Sequence, residues 1–367
     1  MTGVLLAVLI MAAPAAAALT WTNTPMPAAS VGWQGEDAAV FSPSNAFMVG
    51  SSSNGTGLIA HYNGAAWSQT LALVKPSEFR AATTTPQGTA FAVGEYQNLA
   101  AGTESALAEH FDGSVWRITS TPALAGTDLV EFDGVAATSD TNAWLVGLKR
   151  VTGEYRTLAE HWNGTRWTVV TTPNPDTTSF PSNELRKVSV GSDGVVFALG
   201  DYGGGTQLLL ERTGSTWKRL TLPALPFDAG FYGIAAVNMN SVYLVGGYVD
   251  TASGHGRPLV YHWNGTSFAR VAATNPAAWD ESYMTDVTVS PRGAVYASGL
   301  AYQDTGGPID QTGEVWRIAA GRFTPMDPNA PVDSAFWGID AKAGAAFVVG
   351  DESGVPHPTA AAMKLVG

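Results

Sequence analysis

The chain has 367 residues, a formal net charge of −12, no cysteine and only 14% charged residues. This balance excludes disulfide staples and thiolate chemistry, and it makes nucleic acid and anionic membrane surfaces poor partners, because both demand basic patches. A content of 12 Trp and 41 Gly fits packed strands joined by tight turns and argues against disorder.

Val4 to Ala13 is an apolar run followed by Pro14 and four alanines, the small-residue pattern that signal peptidase cleaves. It falls short of the roughly 20 residues that a membrane-spanning helix requires. Residues 1–18 are therefore expected to be a signal peptide, and 19–367 a secreted single domain with no membrane insertion. Next comes Trp21-Thr22-Asn23-Thr24-Pro25, which reads like Trp167 to Pro173 but precedes any repeat of its own.

From there a pattern recurs: an apolar strand ends in glycine, and a second strand follows that closes on a tight turn and an aromatic residue. The glycines are Gly50, Gly94, Gly147, Gly200, Gly246, Gly299 and Gly350, at steps of 44, 53, 53, 46, 53 and 51 residues. A period of that size, built from short strands, is the signature of a β-propeller rather than a helical solenoid. The fullest copy divides into four strands: small-residue Val135-Ala136-Ala137, large apolar Ala143 to Gly147, Leu158 to Trp162, and, after the turn pair Asn163-Gly164, Trp167 to Thr171. The small strand belongs at the crowded central channel, the aromatic one at the rim.

The turn and aromatic recur as Asn63-Gly64 with Trp67, Asp112-Gly113 with Trp116, Thr213-Gly214 with Trp217, Asn264-Gly265 with Phe268, and Gly321 with Phe323. The seventh copy ends after Ala360 to Val366 without its fourth strand. The expected fold is thus all-β, a seven-bladed propeller of four-stranded blades, in which residues 19–27 supply the outer strand of the last blade and close the ring.

Val245-Gly246-Gly247-Tyr248, followed by Tyr261-His262-Trp263-Asn264-Gly265-Thr266-Ser267-Phe268, resembles a kelch repeat. The whole period is similar to that of the kelch and galactose-oxidase-like seven-bladed propellers, in the secreted bacterial version that repeats Glu-His-Trp-Asn-Gly-Thr, here Glu160 to Thr165. Galactose oxidase holds copper with Tyr and His and crosslinks a Tyr to Cys. Without cysteine that cofactor cannot assemble, so the resemblance implies the fold and not the activity.

Four histidines, His61, His110, His161 and His262, occupy one position of the third strand in four different repeats, so they are spread around the ring instead of converging on a metal. No metal and no cofactor are expected, and Gly203-Gly204-Gly205 lacks the Lys-Ser/Thr of a phosphate cradle.

The loops that lead into the small strands set acids beside aromatic residues, and they open on one face of a propeller. Trp33, Glu131, Trp279, Asp280, Tyr283 and Trp337 are the expected ligand-binding residues there. Aromatic rings cover the C–H faces of sugars while carboxylates accept hydrogen bonds from hydroxyls. The expected function is a monomeric, non-catalytic extracellular binding module for carbohydrate, cell-wall polymer or a protein partner. One alternative is a glycan-active hydrolase or lyase using two of these carboxylates, which a glycosidase would hold about 5 to 9.5 Å apart. The other is a structural or surface protein without a small-molecule site, in which the recurring aromatics only pack the blades.

Overall fold

The computed structural model describes residues 19–24, 26, 32–71, 77–98, 103–277, 279–303, 310–326, 328–331, 333–342, 344–352 and 359–366, so the expected signal segment 1–18 lies outside the described residues. Among them the chain forms 29 strands and no helix, and no segment is a helix long and apolar enough to cross a membrane.

Consecutive strands pair as antiparallel meanders. In one, Gly230–Asn238, Ser241–Asp250, His255–Trp263 and Phe268–Arg270 lie side by side in chain order. Hydrogen bonding gathers all strands into six sheets: four of four strands, one of five and one of eight. Five sheets of single-repeat size therefore stand where seven separate ones were expected. The eight-stranded sheet holds two meanders, joined because the 13-residue strand Thr127–Ser139 extends far enough to pair in parallel with Thr103–Phe111, at Leu129 and Glu104.

The N-terminal strand Thr20–Asn23 pairs antiparallel with Thr359–Val366, running from Thr20 opposite Val366 to Asn23 opposite Met363. It becomes the outer strand of the sheet that contains Ser334–Lys342 and Ala345–Glu352. Of the expected segment 19–27, Pro25 and Pro27 lie outside the described residues. Thr24 Oγ1 donates to the carbonyl of Ala362 at 2.8 Å and accepts from Trp67 Nε1 at 3.0 Å, so one hydroxyl ties N-terminal strand, last sheet and first sheet together.

Turn chemistry explains the hairpins. Asn163 Oδ1 accepts from the backbone N–H groups of Thr165 and Arg166, both at 3.0 Å, while Gly164 takes a φ of +92°, a conformation open to glycine. Between sheets, core clusters draw on two neighbours; Met48, Leu58, Tyr62 and Trp67 meet Phe347 and Val349 of the adjoining sheet in one of them. Burying such rings is what holds adjacent sheets face to face.

The histidines are structural in placement. His61, His161 and His262 hydrogen-bond Asn45, Asn142 and Ser241 at 2.8, 2.7 and 2.9 Å. His110 lies against Phe91, with ring centroids 4.5 Å apart. Glu160 is fully buried, and neither carboxylate oxygen has a hydrogen-bond partner among the described residues. Burial raises its pKa to about 8.

Two outcomes follow. Removing residues 20–25 deletes the outer strand and the Thr24 bridge, and the melting midpoint is expected to drop by several degrees; an unchanged melting curve would show that the strand contributes nothing. Because Glu160 is neutral in the folded chain until about pH 8 but ionises near 4.5 when unfolded, its favourable contribution is complete below about 4.5 and is lost as pH rises through about 8. Glu160→Gln should accordingly melt higher than the parent at pH 8 and match it at pH 4, as read by thermal denaturation at both values.

Candidate binding site

The inner strand of every meander carries a β-bulge at one equivalent place. Pairing slips between Gly35 and Asp37, Phe79 and Ala81, Phe132 and Gly134, Leu185 and Lys187, Phe231 and Gly233, Met284 and Asp286, and Phe336 and Gly338. A bulge leaves one residue unpaired and re-aims its side chain. Here the residues are Glu36, Arg80, Asp133, Arg186, Tyr232, Thr285 and Trp337, and all seven line one cavity of about 590 Å³.

The repeat glycine, expected to end the second strand, lies inside it and faces this bulge. A Cβ on Gly147 would sit 2.0 Å from the carbonyl oxygen of Glu131, and the six equivalent glycines would meet a carbonyl oxygen at 1.8 to 2.1 Å. Only glycine allows that approach.

The cavity has two unlike halves. On one, Arg80 is clamped by Glu78 and Glu95, both at 3.1 Å, and Arg186 by Glu184 and by Asp201 at 3.2 Å. Glu131 and Asp133 stand between these clamps, with no hydrogen-bond or ion-pair partner among the described residues. Burial, reinforced by the neighbouring carboxylates, raises both to about 7. The other half is aromatic. Tyr232 and Tyr283 meet edge to face with centroids 6.1 Å apart, Tyr232 is 46% exposed to the opening, and Trp337 Nε1 donates to Asp351 Oδ1.

Beneath the bulge residues every inner strand contributes to a channel lined by Asp37, Lys187 and Asp286 among others. Lys187 Nζ lies 4.0 Å from Asp286 Oδ1, and its charge also acts on Asp37. Burial raises Asp37 and Asp286, with Lys187 opposing. Gly134, Gly233 and Gly338 lie so close to Lys187, Asp286 and Asp37 that an added Cβ would be 3.1, 2.7 and 2.6 Å from their α-carbons, so each glycine makes room for a charged neighbour.

Of the six residues expected to bind, Glu131, Tyr283 and Trp337 line the cavity. Trp33 does not: it is 5% exposed and packs in the core with Met48, Leu58 and Phe347. Trp279 and Asp280 also lie outside the wall, and their carbonyls accept from Asn275 Nδ2 at 2.9 and 3.2 Å. Sequence reasoning missed Arg80, Asp133, Arg186 and Thr285. A signal for part of this set exists, a buried Phe, any residue, then glycine or alanine: Phe79-Arg80-Ala81, Phe132-Asp133-Gly134, Phe231-Tyr232-Gly233 and Phe336-Trp337-Gly338.

Among the described residues no group of three or more His, Cys, Asp or Glu could hold a metal ion. No protein-family model matches the chain, and no curated protein does. Solved structures are similar to it. They include YCF48 from Cyanidioschyzon merolae (14% identity, 94% of this chain and 98% of that one, TM-score 0.58). Ulvan lyase, a polysaccharide lyase, matches at 12% identity over 89% and 92% with TM-score 0.57. A mutant Aleuria aurantia lectin in complex with α-methyl-L-fucoside matches at 11% identity over 81% and 96% with TM-score 0.50. Likeness at such identity establishes the fold alone: the chain is a β-propeller.

The throat yields a prediction. Lys187→Met leaves Asp37 and Asp286 without their cation, which should cost about 3 kcal/mol at pH 8. With Asp37 raised to about 7, the cost should shrink at pH 5, where that carboxyl is protonated. Urea denaturation of parent and variant at the two pH values measures both.

Proposed function

We propose that the protein is a binding propeller that holds a carbohydrate at the mouth lined by the seven bulge residues, without chemical turnover. The observation that carries this reading is the division of one 590 Å³ cavity into an aromatic half and a half rich in carboxylates. That volume falls within the range of about 300–1,000 Å³ typical of small-ligand sites. Tyr232, Tyr283 and Trp337 offer flat surfaces to C–H faces, and Glu131, Asp133, Glu184 and Gln207 offer acceptors to hydroxyls. The fold is compatible with sugar recognition, since the lectin to which the chain is similar is seen with a fucoside. A protein segment with an aromatic or basic side chain is the other ligand this surface would suit.

The same proposal includes the finer architecture and its setting. Seven repeat glycines and seven bulged inner strands support a seven-bladed, kelch-like ring, and the pairing of Thr20–Asn23 with Thr359–Val366 supports its closure by the N-terminus. The apolar run Val4 to Ala13 supports export.

Glu131 and Asp133 favour a second reading. They are unpaired neighbouring carboxyls, both raised to about 7, and a glycan hydrolase or lyase needs an acid and a base poised near that pH.

A glycan panel tests both. Trp337→Ala and Tyr283→Ala should each weaken binding of a captured glycan by about 1 to 3 kcal/mol without loss of fold, whereas Trp33→Ala should lower the melting point and leave the affinity of the folded fraction unchanged. Normal binding by the first two variants would overturn the site. Cleavage of the captured glycan, abolished by Glu131→Gln, would establish the enzyme instead.

A further inference from the structure

A second cavity, of about 360 Å³, lies apart from the mouth and shares no lining residue with it. Its walls bring together Arg257, Arg270, Asn275, Tyr248, Pro258 and Val271. We propose that this cavity binds the carboxylate of a sugar acid, a second ligand site that does not depend on what the mouth binds.

The electrostatic argument starts from the arginines. In a chain of net charge −12, two guanidinium groups face one cavity, and neither has an ion-pair partner among the described residues. Both are held in place by other means. Arg257 donates to the carbonyl of Gly256 at 3.3 Å, to Ser253 Oγ at 3.5 Å and to the carbonyl of Asp280. Arg270 lies over the ring of Tyr248, 4.5 Å from its centroid. Such bracing lowers the entropy lost when an anion binds.

The nearby carboxylates are otherwise engaged. Glu281 accepts from Gly256 N at 2.8 Å and Tyr302 Oη at 2.9 Å and sits 3.6 Å from His255 Nδ1. Asp250 accepts from Ser253 Oγ at 2.9 Å and from Ala252 N at 3.2 Å. Asn275 spends its amide N–H groups on the carbonyls of Trp279 and Asp280, which fixes the loop at the cavity edge.

Two planar guanidinium forks match a carboxylate. A bare inorganic anion would gain nothing from the apolar wall of Val271, Ala272 and Ala273, whereas a sugar ring bearing the acid would lay its C–H face on it. The acid group and the ring surface together select the ligand class.

Calorimetric titration of the full chain with sodium glucuronate, with glucose, inorganic sulfate and a short glutamate peptide as comparisons, is the test. Saturable glucuronate binding is expected, with weaker binding to sulfate and to the peptide and a decline as salt rises; any response to glucose belongs to the mouth and should survive the arginine substitutions. Arg270→Gln and Arg257→Gln should each weaken glucuronate binding about tenfold or more, and Arg270→Lys, which keeps the charge but loses the fork, by less. The part of the binding that the arginine substitutions remove should persist in Trp337→Ala, which separates this site from the mouth. Melting curves establish that the variants are folded; Arg270 is solvent-exposed, so its substitution spares the core. Absence of glucuronate binding, equal binding by folded arginine variants, or a glucose response that is lost with the arginines overturns the proposal. Sulfate binding as tightly would make the site one for inorganic oxyanions, and tighter peptide binding would make it a protein contact; either also overturns it.

Discussion

Seven times in this chain a glycine α-carbon meets a carbonyl oxygen across a strand pair, at a distance that leaves no space for a side chain. The contact sits where the inner strand bulges, and it permits that bulge. With a Cβ at Gly147, the carbonyl of Glu131 would have to move, the register of Thr127–Ser139 would slip, and Asp133 would turn away from the mouth. A packing constraint between two backbones thereby decides which side chains reach the cavity. The glycine repeat that betrays the fold and the ring of residues that forms the cavity are two results of one contact.

Much of the architecture was legible because its determinants are local. The turn pairs, the glycine period and the orphan strand around Trp21 each express a short-range preference that the sequence displays directly, and Thr20–Asn23 pairs with the strand that lacked a neighbour. The merging of two meanders into one eight-stranded sheet was not legible, because it depends on how far Thr127–Ser139 extends toward Thr103–Phe111. Nothing in residue type encodes that length.

The site was legible by half, and the failures have a common cause. Trp33, Trp279 and Trp337 are the same residue type near comparable junctions, yet Trp33 enters the core, Trp279 braces a loop and Trp337 faces the cavity. Which way a side chain points near a bulge depends on a one-residue slip, and a slip inverts the face. Reading acids beside aromatics found Glu131 and Tyr283 but passed over Arg80 and Arg186, whose positive charge is what keeps the surrounding carboxylates from repelling one another. Charge sign in such a mouth is a property of the cluster, not of any one motif.

Beneath the mouth, the positions just after the bulges run Lys187, Gly233, Asp286, Gly338, Asp37, a succession of large and small in which each glycine lets its neighbour lean inward. The succession then breaks: Ala81 and Gly134 follow, two small residues side by side. Three charged side chains consequently crowd one flank of the channel and none opposes them at these positions on the other. The channel is lined from every inner strand, yet its wall at this level is charged along one arc and small-sided at Ala81 and Gly134 along the other. A slender appendage descending from the mouth would meet the two arcs differently, and the molecule has in effect a keyhole with a fixed orientation, even though its backbone repeats.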